Sequence, residues 1–212
     1  HILQKAQQEN ADIVIFPELL GTEDAVKSIQ SRLIEGEIFN LENKIPFLIL
    51  LPSICKDGKN QCTILSGHGK LYGRQQKHEG FFQPLEDGSL AKEMLSTDNT
   101  ICLFHMDGIG RFAAMICKDF LTDSYRELFL SQLEVRLLLV PSFSTGEHDF
   151  TLVSDKCKTE DCCVAWVNTC SAKSFLSPDK QDNLDIISFV QKSGSHRDRN
   201  IVKFYQHNSC KN

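Results

Sequence analysis

Three apolar runs in this sequence stop abruptly at polar punctuation, and that recurrence constrains the fold more than any single segment does. Residues 12–16 (DIVIF) run into Pro17 and Glu18. Residues 113–116 (AAMI) deliver Cys117, Lys118 and Asp119, and residues 137–140 (LLLV) stop at Pro141, Ser142, Phe143 and Ser144. Short continuous apolar runs bounded in this way read as buried strands. In sheets built from such strands, ligand-binding groups collect where the strands end. The pattern predicts a cluster of Glu18, Cys117 and Ser142 at one sheet edge. A cysteine in an apolar strand is by itself ordinary core; a thiol held rigidly at a strand exit is also what covalent chemistry requires.

Around these runs the chain alternates helices and hairpins. Ile2, Leu3 and Ala6 mark the end of an amphipathic helix stopped near Asn10, and Val26, Ile29 and Leu33 mark a second. Residues 46–51 (PFLILL) read as another buried strand. Residues 62–66 and 70–74 form a hairpin around Gly67, His68 and Gly69, and a loop with Pro84, Asp87 and Gly88 follows. A second hairpin pairs 101–104 with 111–116 through Asp107 and Gly108. Ser124 and Glu127 are spaced as a capping box, followed by Tyr125, Leu128, Phe129 and Leu133 on one face. Phe150, Val153 and Cys157 give a further helix, and residues 163–167 a strand ending at Asn168. From Ser171 the chain turns polar, with 186–190 and 201–205 as edge strands. This order predicts an α/β chain, a mixed sheet covered by helices. Its 212 residues fit a single well-buried domain over 1–212.

Composition narrows the function. A net charge of -5 offers nothing to attract nucleic acid or an anionic membrane surface. The longest apolar runs, 47–51 and 137–140, are strand-sized, so no membrane span is expected, and no signal peptide pattern is present. Nine cysteines include no C-x-x-C pair, so neither zinc nor another metal or cofactor is expected. Free thiols on strands point to a reducing, cytoplasmic compartment. The chain starts at His1 within a helix and without methionine, which reads as a piece of a longer protein.

FPELLG at 16–21, GKLYGRQQKH at 69–78 and RFAAMICKDF at 111–120 resemble, in that order, the three signatures of the nitrilase or carbon–nitrogen hydrolase superfamily. The hairpins leading into the last two, and the later VPS and VAWVN stretches, resemble the family as well. The resemblance covers residues 3 to 170 and rests on the combination. It implies a four-layer α-β-β-α sandwich, two mixed sheets face to face with helices outside, in a protein that pairs into dimers or larger homo-oligomers. It also implies a catalytic glutamate, lysine and cysteine, matched here at Glu18, Lys77 and Cys117, with a second glutamate on a loop at the site. Glu86 is the candidate for that second carboxylate and Glu79 the competitor.

The chemistry of these residue types agrees. Only a thiolate is a good nucleophile, and Glu18, beside Phe16 and Leu19, would have its pKa raised by burial and accept the thiol proton. Lys77 and the backbone N–H of Lys118 would stabilise charge developing on an attacked amide or nitrile. The Lys118 side chain, where the family commonly has an aromatic or acidic residue, would lower the thiol pKa and favour an acidic substrate. Ser142 and Phe143 fall where the family lines its pocket, Asp119 is expected to anchor the turn, and Asn168 to bond backbone nearby. Departures include the absence of the family's first strand and a faint match after Asn168.

The expected function is a thiol hydrolase of carbon–nitrogen bonds, amidase-like, acting through a thioester on a small amide or nitrile without a cofactor. The alternative is a silent or partner-regulated nitrilase-like module fused to a larger protein, such as a glutamine-dependent synthetase or a bacterial defence reverse transcriptase. An acyltransferase of the same superfamily and a cysteine-rich redox sensor are more distant readings.

Overall fold

The computed structural model describes residues 1–84, 88–98, 100–175, 186–194 and 201–205. Residues 48–51 show how its layers arise. All four are completely buried, yet they face two different cores. Leu48 and Leu50 pack with Cys62, Ile64 and the later strands, while Ile49 and Leu51 pack with Leu3, Val26 and Leu33. Successive side chains of a strand point to opposite faces, so an all-apolar strand is one covered on both sides. Each such leucine or isoleucine contributes roughly 1.5–3 kcal/mol relative to exposure.

The first half of the chain runs α1 (Ile2–Gln8), β1 (Ile13–Ile15), α2 (Glu23–Ile34), β2 (Leu48–Leu50), β3 (Ile54–Lys56), β4 (Lys59–Leu65) and β5 (Leu71–Gln76). β1 pairs parallel with β2. β4 is the long central strand: β2 and β3 share one of its edges and β5 takes the other, all antiparallel. α1 and α2 cover the outer face of this five-stranded sheet through Leu3, Val26 and Leu33.

The second half runs β6 (Phe82–Pro84), β7 (Leu90–Lys92), β8 (Leu103–Met106), β9 (Gly110–Ala114), α3 (Lys118–Leu121), α4 (Asp123–Glu127), a π-helical turn (Leu128–Gln132), β10 (Leu137–Pro141), α5 (His148–Thr159), β11 (Cys163–Val167), a 3-10 turn (Cys170–Phe175), β12 (Ile186–Gln191) and β13 (Ile201–Tyr205). Its six-stranded sheet has the order β13-β12-β11-β10-β9-β8, parallel at its centre and antiparallel at both flanks. Phe120 and Phe150 from the helices stack on each other, and Phe150 meets Trp166, which stacks on Phe189. The order of layers is therefore helices, sheet, sheet, helices. Among the described residues β6 and β7 pair with each other and form a separate two-stranded sheet.

Local differences from the sequence expectation have identifiable causes. β3 and β4 form a hairpin that begins before Cys62. Its two-residue loop is Asp57 and Gly58, both at positive φ, the geometry preferred by hairpin turns. The loop expected around Pro84 and Gly88 is flanked by the β6–β7 pair. The capping box at Ser124 and Glu127 is not used. A helical turn already starts at Lys118, and α4 follows from Thr122, whose hydroxyl donates to the Lys118 carbonyl instead of capping.

Candidate active site

Glu18 leaves the first sheet through a pinned turn. Phe16 still bonds to the Leu50 carbonyl (2.9 Å), Pro17 has no N–H to continue the ladder, and Leu19 takes a positive φ of 62°. Ser53 holds this turn: its hydroxyl accepts the Leu19 N–H (2.9 Å) and its carbonyl accepts the Gly21 N–H (3.1 Å). A Cβ at Gly21 would lie 2.7 Å from the Pro52 carbonyl oxygen, so only glycine allows this approach. The Glu18 N–H reaches the Ser142 carbonyl at the end of β10 (3.4 Å), tying the ends of the two sheets together.

Lys77 follows β5, its N–H bonded to the Asn60 carbonyl at 2.8 Å. Its ammonium is almost wholly buried and meets two carboxylates, Glu18 Oε1 at 2.8 Å and Glu93 Oε2 at 2.7 Å. Asn60 Nδ2 donates to Glu18 Oε1 (2.8 Å) and Glu93 Oε1 (3.2 Å), and the Phe143 N–H donates to Glu18 Oε2 (2.9 Å). Burial raises the Glu18 pKa above the usual carboxyl range, against the pull of Lys77. Burial also works against the Lys77 charge, but the Glu18 carboxylate, then Glu93, outweigh it and hold the ammonium above its ordinary value. Glu93 is lowered: burial is its largest influence, and Lys77 overcomes it.

Cys117 lies at the joint between β9 and α3. Its N–H bonds to the Pro141 carbonyl (2.9 Å), and its φ of 49° with ψ of −104° places a side-chain-bearing residue in a sparsely populated conformation. Strain of this kind costs on the order of 1–3 kcal/mol and persists only where surroundings over-determine it. Cys117 is 5% exposed, and its thiol lies 4.0 Å from the Phe143 carbonyl. Its pKa is raised, first by burial and then by the Glu18 charge, with Lys77 opposing. The expectation that Lys118 lowers the thiol pKa is thus corrected, since the cation acting on the sulfur is Lys77. Lys118 N–H, at the first helical position, has no intrahelical acceptor.

Asp119 is buried and accepts the backbone N–H groups of His78 (3.0 Å) and Glu79 (2.7 Å), so it joins the Cys117 turn to the segment after Lys77. Burial pushes its carboxyl up to about 7, against those bonds. Ser142 is completely buried, and its hydroxyl accepts the Trp166 indole N–H at 3.0 Å, so it braces the strand end and does not line an open pocket. Phe143 faces the thiol and Glu18 through its peptide groups. Asn168 bonds both ways with the Ser144 backbone.

Among the described residues the second carboxylate beside Lys77 is Glu93, just after β7. Glu86 lies outside the described residues, and Glu79 contributes its N–H to Asp119. Glu93 is delivered by close backbone approach: a Cβ at Gly80 would collide with the Glu93 carbonyl, and Phe81 and Glu93 exchange two hydrogen bonds. Asn60 is the second residue the sequence expectation lacked; the Asp57–Gly58 turn signal would have started β4 early enough to include it. Two clefts of about 650 and 440 Å³ lie against α1 and α2, away from these groups. Among the described residues no His, Cys, Asp or Glu cluster could hold a metal ion, and no helix is long and apolar enough to cross a membrane.

Solved structures match this architecture. A glutamine-dependent NAD+ synthetase from Acinetobacter baumannii aligns at 21% identity with a TM-score of 0.55, over 78% of this chain and 33% of that one. A mutant amidase from Nesterenkonia sp. AN1, with acrylamide added at its active-site cysteine, aligns at 14% identity and 0.56, over 77% and 67%. Another structure of that amidase, of the nitrilase superfamily, aligns at 15% identity and 0.57, over 78% and 66%. The chain spans about a third of the synthetase's length. No family model and no curated protein sequence matches it. The chain has the two-sheet α/β fold of nitrilase-superfamily amidases.

Proposed function

We propose that the chain is a thiol hydrolase of carbon–nitrogen bonds, amidase-like, with Cys117 as nucleophile, Glu18 as proton acceptor and donor, and Lys77 as electrophilic stabiliser. The observation that carries this reading is the buried Lys77 ammonium held between two carboxylates beside a thiol on a strained turn. Burial keeps the thiol protonated at rest, so the proton must leave as sulfur attacks, and Glu18, whose charge acts on the thiol, would receive it. Attack on an amide carbon forms the C–S bond and moves the carbonyl electron pair onto oxygen. Lys77 has three N–H donors, two given to Glu18 and Glu93, and its third, with the Lys118 N–H, would meet that oxyanion. Glu18 returns the proton to nitrogen as the C–N bond breaks, leaving a thioester, and then takes a proton from the attacking water and passes it to the Cys117 sulfur as the C–S bond breaks and the acid leaves.

The test is ammonia release across a panel of small amides. Cys117→Ala should abolish release while costing about 1 kcal/mol of stability, since little volume is lost. Retained release, or collapse of the fold, would sink the reading. A second reading follows from the likeness to the glutamine-dependent synthetase: the amide is glutamine, and ammonia passes to a partner domain. Release from glutamine alone among the panel would favour it.

A further inference from the structure

Asn60 is completely buried on β4 and is hydrogen-bonded to Glu18, Glu93 and Lys77. Nδ2 donates to Glu18 and to Glu93, and its backbone carbonyl accepts the Lys77 N–H. The orientation of its amide follows from charge: both carboxylates repel an oxygen, so the NH2 edge must face them, and both donors are then spent. Oδ1 is left buried without a hydrogen-bond partner. An orphaned acceptor is a cost that a residue serving only the sheet would avoid, because an apolar side chain there would leave nothing unpaired.

We propose that Asn60 is a positioning residue of the site, bracing Glu18 and Glu93 against Lys77 and turning Glu18 Oε2 toward the Phe143 peptide that faces the thiol. This rests on the thiol-hydrolase reading. Glu18 uses Oε1 for Asn60 and Lys77, which leaves Oε2 on the Phe143 side. Glu93 divides its oxygens the same way, Oε1 to Asn60 and Oε2 to Lys77. Burial is the largest influence on both carboxyls and opposes ionisation, and the bonds from Asn60 work with Lys77 against it. Removing them should leave Glu18 protonated up to a higher pH.

The experiment follows alkylation of Cys117 by iodoacetamide, by intact mass and peptide mapping, as a function of pH. It compares the unsubstituted chain with Asn60→Ser, Asn60→Asp and Glu18→Gln, each checked for folding by circular dichroism. Asn60→Ser keeps a single donor and should slow alkylation about tenfold, moving the profile toward alkaline pH by about one unit. Asn60→Asp replaces both donors by a third carboxyl and should move it further. Folded variants with the original profile, or with a slower rate and an unmoved profile, would overturn the proposal, the latter by showing a purely structural role. If Glu18→Gln leaves Cys117 alkylation unchanged, the thiol-hydrolase reading itself falls and takes this one with it.

Discussion

On the edge of the first sheet, Glu18, Asn60 and Lys77 are buried polar groups bonded to one another. On the edge of the second, Cys117 shares its core with Met115, Ile116 and Phe120, and the charges acting on its thiol, Glu18 and Lys77, come from the first sheet. One edge holds charge by pairing it; the other holds a neutral thiol by strain and packing. The difference teaches where stability and chemistry reside. Removing a charge from the first edge leaves its partner buried and uncompensated, whereas removing the sulfur from the second leaves a small gap. The charged edge should therefore cost the fold, and the apolar edge only the reaction.

Lys77→Met tests this most severely. It should lose about 3–5 kcal/mol at neutral pH, because two carboxyls lose the cation between them. In the variant those carboxyls have folded pKa values above the unfolded value of about 4.3, so the deficit is smallest near and below that pH and grows as pH rises through the raised values. Urea denaturation at pH 4.5 and 7.5 measures both effects. A midpoint equal to that of the unsubstituted chain at both values would erase the distinction between the edges.

Ser142→Ala sharpens the comparison from the other side. Ser142 is a completely buried hydroxyl at the end of β10, and Trp166 depends on it. Deleting the acceptor strands an indole N–H in the core at a cost of about 1–2 kcal/mol. The melting temperature should fall by roughly 2–8 °C for a chain of this size. A loss as large as that of Lys77→Met would mean that the second edge relies on polar pairing as much as the first.

The two edges were also unequally legible. The strand-end residues announce themselves: apolar runs that stop at Pro17–Glu18, Cys117 and Pro141 are visible because burial on both faces demands unbroken hydrophobicity. Glu93 carries no such mark. It closes a short pair of strands whose exposed Leu90–Lys92 segment has no apolar periodicity, and it reaches Lys77 only because Gly80 lets two backbones meet. Asn60 was hidden differently, as a polar residue after a turn, where a solvated side chain is the ordinary outcome. Its burial follows from pairing across three strands, which no local pattern encodes. The unused capping box at Ser124 shows the converse: a good local signal loses to a turn already set by Cys117.

Asp119 crosses the division, a carboxyl of the thiol-bearing edge bonded to the N–H groups after Lys77. Its expected effect is the smallest. Burial pushes its pKa from 3.8 to about 7, so between those values the folded chain binds a proton that the unfolded chain has released. Stability from this residue is complete below the unfolded pKa and is lost as pH rises through about 7. Asp119→Asn keeps the size and an acceptor oxygen for the same N–H groups, and at pH 5 it should nearly match the original. As pH rises toward 8 the original chain should lose ground to the variant, read as converging and then crossing urea midpoints. If the difference between the two stays constant from pH 5 to 8, Asp119 is ionised throughout. The two backbone N–H groups then outweigh burial, and the thiol-bearing edge holds a charge by pairing as the other edge does.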